Sequence, residues 1–104
     1  MISEREELTL KNGATIVLSR GEDGITVNIT GFDKPMIGTF DDPMKLANAI
    51  GKYLKKVYPE AFKEDLLSSK VPEQERDLNK LSIRLRRIDP TWTRLDYNTF
   101  LWGD

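Results

Sequence analysis

The stretch LTLKNGATIVL, residues 8–18, decides how the first forty residues fold. Leu8 and Leu10 flank Thr9, a Lys11-Asn12-Gly13 break follows, and Ala14, Ile16 and Leu18 then recur at every second position. This is the pattern of two antiparallel strands joined by a tight turn. A two-residue Asn12-Gly13 turn would pair Leu8 with Val17 and leave Ile16 and Leu18 on the other face. That splits the apolar set, because a slip of one residue reverses the face of every side chain. A three-residue loop with Gly13 in the left-handed region instead sets Leu10 opposite Ala14, Leu8 opposite Ile16 and Glu6 opposite Leu18. The sequence predicts the second register.

Working outward, the same logic gives strands over Glu6–Leu10, Ala14–Arg20, Ile25–Gly31 and Met36–Phe40. A four-residue Gly21–Gly24 loop places Leu18 opposite Val27 and Ile16 opposite Ile29. A four-residue Phe32–Pro35 loop places Val27 opposite Phe40. One face becomes continuously apolar, while the other carries Thr9, Thr15, Val17, Ser19, Thr26, Asn28, Thr30, Ile37 and Thr39, the usual make-up of a solvated sheet face.

Asp41-Asp42-Pro43 marks a helix start: an aspartate side chain accepts from first-turn amides, and proline at the first position forfeits no hydrogen bond. The helix is predicted over Pro43–Tyr58, with Ala47, Ile50, Leu54 and Val57 toward the sheet and Pro59 as its stop. Glu60–Ser69 suits a short second helix. From Pro72 onward, Leu78, Leu81, Leu85 and Ile88 form a helical stripe, opened by acids and closed by Arg86 and Arg87. Residues 81–86 also alternate as a strand would, but the longer helical pattern is preferred. The tail after Pro90 is aromatic and shows no clear period. The expected fold class is therefore α+β: a four-stranded antiparallel meander covered by a helix, then a helical C-terminal region with an aromatic tail, in a single domain over residues 1–104.

Composition narrows function mainly by subtraction. The 104 residues include no cysteine and no histidine, which removes thiolate chemistry, disulfides and the commonest general base near neutral pH. No apolar run reaches membrane-spanning length, and the first residues lack a secretory signal pattern, so a cytoplasmic protein is expected. Charge is unevenly spread. Residues 1–43 carry eight acids and four bases, a net −4, whereas residues 44–104 carry nine acids and twelve bases, a net +3. Such a dipole can orient an incoming partner.

The chemical constellations have structural explanations. Asp41 and Asp42 are accounted for as helix caps, Glu64-Asp65 has no further ligands at suitable spacing, and the Gly21–Gly24 loop carries Glu22 and Asp23, which would repel a phosphate. No catalytic residue, metal or cofactor is predicted. Arg76, Lys80, Arg84 and Arg87 fall on one helical stripe that could contact nucleic acid, opposed by Glu73, Glu75 and Asp77 nearby. Trp92, Tyr97, Phe100 and Trp102 are the candidate partner-binding residues, since aromatic side chains dominate binding energy when they fill a pocket. Their competing role is completion of a small core.

The expected function is a small non-catalytic protein-binding module, such as an inhibitor, adaptor or chaperone. The alternative is nucleic-acid association through the basic stripe. No family motif is present. In size, charge density and lack of catalytic residues the chain resembles small accessory proteins of bacteria and their phages, including inhibitors of host defence systems, in general character only. Homodimerisation through the edge strands is a further expectation.

Overall fold

A computed structural model describes residues 3–66 and 72–102. Four strands, β1 (Arg5–Thr9), β2 (Thr15–Gly21), β3 (Gly24–Thr30) and β4 (Met36–Phe40), form one antiparallel sheet in the order β1-β2-β3-β4. They are followed by α1 (Pro43–Val57), α2 (Pro59–Leu66), a 3₁₀ turn over Glu73–Glu75, α3 (Asp77–Ile88) and α4 (Arg94–Trp102). The expected α+β meander is present. The end of the predicted second helix, at Leu67–Ser69, lies outside the described residues.

The first two registers match those argued from the apolar pattern. Glu6 faces Leu18, Leu8 faces Ile16, and Gly13 has φ +93° in the turn between them. Leu18 faces Val27 and Ile16 faces Ile29, although strand pairing extends to Gly21 and Gly24 and leaves only Glu22-Asp23 as the loop. The third register differs. Val27 faces Gly38, not Phe40, and Phe40 faces Ile25. The cause is Gly31, which at φ +103° turns out of β3 over Ala14, so close that a Cβ there would lie 2.7 Å from the Ala14 Cα. The β3–β4 connection is lengthened, and the shift of two residues keeps every side chain on its predicted face.

The sheet's inner face buries Leu8, Ile16, Leu18, Ile25, Val27 and Ile29. The Pro43 helix covers it as expected: Asp42 accepts from the Met44 amide at 2.8 Å, and Leu46, Ala47, Ile50 and Leu54 point inward. It shares that task with α3, which lies along β1 and β2 and buries Leu78, Leu81, Leu85 and Ile88. Residues 81–88 are helical, in keeping with the preferred reading.

Candidate interaction surface

The C-terminal segment, which shows no clear apolar period, forms the nine-residue helix α4. Its start is fixed by Thr93-Arg94-Leu95-Asp96. The Asp96 carboxylate accepts from the Thr93 amide at 2.8 Å and from the Thr93 hydroxyl at 3.1 Å, while the Asp96 amide lies 3.4 Å from the same hydroxyl. This is a capping box with aspartate at the third position, a signal readable in sequence as Thr-x-x-Asp. Just upstream, Asp89 accepts from both the amide and hydroxyl of Thr91, a turn that delivers Trp92 to the core.

The four candidate partner-binding residues separate sharply. Trp92 is buried, with its indole N–H directed at the Ser82 hydroxyl 3.4 Å away. Phe100 is fully buried between Phe62 and Tyr97, at ring-centroid distances of 5.8 and 6.2 Å. Tyr97 is half-buried. Only Trp102 stands on the surface, at 66% exposure. The expectation that all four meet a partner is therefore corrected for Trp92 and Phe100, whose burial against α1, α2 and α3 completes the core.

Leu95 was not singled out by the sequence, yet it is 65% exposed. It lies seven positions before Trp102, two helical turns, so both project from the same side of α4. Thr99, on the turn between them, donates its hydroxyl to the Leu95 carbonyl at 3.0 Å and so keeps its polar atom occupied. The opposite side of α4 packs on α1, where Gly51 lets the Phe100 backbone approach closely. Core packing thus holds Leu95 and Trp102 outward on a fixed support, with Asn98 and Thr99 on the turn between them.

The basic stripe is in large part turned to structural use. Arg84 lies 3.8 Å and Arg87 3.6 Å from the Glu6 carboxylate, whose side chain is only 14% exposed. Arg84 also donates to the Glu7 carbonyl at 3.3 Å. For these two residues the opposing charge comes from β1, while Asp77, one of the acids expected to oppose the stripe, is buried and accepts from the Tyr58 hydroxyl at 2.7 Å and the Lys11 amide at 3.1 Å. Arg76 and Lys80 are half-buried.

Acidic loops meet at the far end of the sheet. Glu22, Asp23, Asp41, Asp42 and Asp89 border a hollow of about 300 Å³, with Arg20 among them. Asp42 and Asp89 are engaged by the backbone as described, and the Arg20 Nε donates to the Ile88 carbonyl at 3.1 Å. Among the described residues no three carboxylates converge in a way that could hold a metal ion. No described helix is long and apolar enough to cross a membrane. Compared with known proteins, the chain matches no family model, no curated protein and no solved structure.

Proposed function

We propose that this protein is a non-catalytic, cytoplasmic binding module that acts by occupying a surface of another protein through the outward side of α4. The observation that carries this reading is the pairing of Leu95 and Trp102. They are two of the three large hydrophobic residues exposed on the described surface, and they lie two turns apart on one helix whose other side is locked into the core. Tryptophan is the residue type most enriched among binding hot spots, and a rigid helical support reduces the entropy lost on docking. An inhibitor, adaptor or chaperone fits this pattern, since each works by covering a surface.

The test is affinity capture from the native cytoplasm with wild-type protein and with the double variant Leu95→Ser/Trp102→Ser. Both positions are exposed, so the variant is expected to fold with unchanged stability. A protein recovered with the wild type and lost with the variant supports the reading; a partner retained equally by both defeats it. Nucleic-acid association gains no comparable support, because Arg84 and Arg87 face Glu6.

A further inference from the structure

The two edges of the sheet are treated differently. In an antiparallel ladder, successive residues direct their N–H and C=O groups alternately to one neighbour and the other. Bonds from the Leu10 amide to the Ala14 carbonyl and from the Arg20 amide to the Glu4 carbonyl show that even-numbered β2 residues face β1. Carried across the pairings, this directs Ile25, Val27 and Ile29 toward Phe40, Gly38 and Met36. At the outer edge of β1, the outward groups include the Glu7 carbonyl and, beyond the strand, the Lys11 amide. Both are capped from α3, by Arg84 and Asp77. At the outer edge of β4, the outward groups are those of Ile37 and Thr39. Among the described residues no hydrogen bond to their backbone is present.

Within the strand, the β4 edge also lacks the charged side chains that keep edges apart. From Pro35 to Phe40 it carries no charge, Ile37 is 74% exposed on the open face, and Met36 and Phe40 are only partly covered on the inner face. Charge is confined to its ends. Lys34 and Lys56 stand at its start, beside the hollow lined by Pro35, Ile37 and Tyr53, while Asp41 and Asp42 follow its end. The Tyr53 hydroxyl donates to the Lys34 carbonyl and ties that start to α1.

We infer that β4 pairs antiparallel with β4 of a second copy of this chain, about a two-fold axis at Gly38, so that two four-stranded sheets become one. This register follows from the free groups. Ile37 lies opposite the partner's Thr39, and each of these residues donates and accepts on both copies. Gly38 meets the partner's Gly38 at the close, non-hydrogen-bonded position, where the lack of a side chain is suited to close approach. Met36 comes opposite the partner's Phe40 and completes its cover. Lys34 comes opposite the partner's Asp42, so the basic start of each strand lies on the acidic end of the other. A shift of two residues in either direction moves Ile37 or Thr39 onto itself and sets the other against Pro35, which has no N–H, or against Asp41. It also takes Lys34 away from Asp42. The inference is independent of the role of α4.

Light scattering on the full chain, from dilute solution to roughly 1 mM, reads the outcome directly. A species of twice the chain mass is expected at the upper end. Ile37→Lys places a cation on the exposed edge, and Ile37→Pro deletes an outward amide that β3 does not use. Each is expected to raise the dissociation constant by at least ~10-fold while leaving the melting temperature of the dilute protein in place. Leu95→Ser/Trp102→Ser is expected to leave the dimer intact. A chain that stays monomeric throughout overturns the inference, as does a dimer unaffected by both edge variants or one dissolved by the α4 variant. Register is read with single cysteines in this cysteine-free chain: Gly38→Cys is expected to cross-link to itself faster than Ile37→Cys or Thr39→Cys, and the reverse order overturns the two-fold axis at Gly38.

Discussion

Asp77 ties three parts of the fold together through one carboxylate. It is 1% exposed at the first position of α3, and one carboxylate oxygen serves both the Tyr58 hydroxyl at the end of α1 and the Lys11 amide at the end of β1. Its other oxygen has no hydrogen-bond partner among the described residues. Asp77→Ala removes the shared acceptor from two groups at once, and is expected to lower stability by about 1–3 kcal/mol in urea unfolding. An unchanged midpoint would mean that the cost of the unpartnered oxygen already cancels the two bonds. None of this was legible locally. The sequence presents Asp77 as one more acid in a first turn, and nothing near it names partners 19 and 66 residues away. Asp96 is a different case: its capping box with Thr93 is written in four consecutive residues, but the pattern is concealed by the surrounding aromatics.

Among the elements, α1 and α4 meet backbone to backbone at Gly51, which has no side chain. A Cβ at Gly51 would sit 2.6 Å from the Phe100 carbonyl oxygen, a backbone atom that cannot rotate away. Glycine to alanine inside a helix ordinarily gains about 1 kcal/mol. Here Gly51→Ala is expected to lose about 1–3 kcal/mol, because α4 must move off α1. Urea unfolding followed by tryptophan fluorescence measures the sign; a net gain would show α4 to be loosely docked. Strands and the long helices were readable because each repeats an apolar period over several turns or pairs. Leu78, Leu81, Leu85 and Ile88 fix α3, and Leu8 through Ile29 fix the first three strands. The β3–β4 register was not readable, since a slip of two residues preserves every face, and the apolar pattern does not foretell the turn of Gly31 over Ala14. In α4, nine residues divide their aromatics between a buried side and an exposed one, so no single stripe stands out.

At the scale of the whole molecule, the charged residues that first suggest chemistry or nucleic-acid contact are largely employed in holding the sheet. Arg84 and Arg87 meet Glu6, Arg84 and Asp77 close the β1 edge, and Asp42 and Asp89 cap turns and helices. The large apolar side chains left outward on the described surface are Leu95 and Trp102 on α4 and Ile37 at the edge of β4. The absence of histidine and cysteine was plain from composition, whereas the choice of Trp102 over Trp92 as the exposed tryptophan depended on how α4 packs. Hydrogen exchange of the protein with and without its captured partner tests the proposed role of α4 most directly. The account predicts that slowed exchange on complex formation centres on residues 94–102. Protection centred on α3 or the acidic loops, with α4 unchanged, would contradict it.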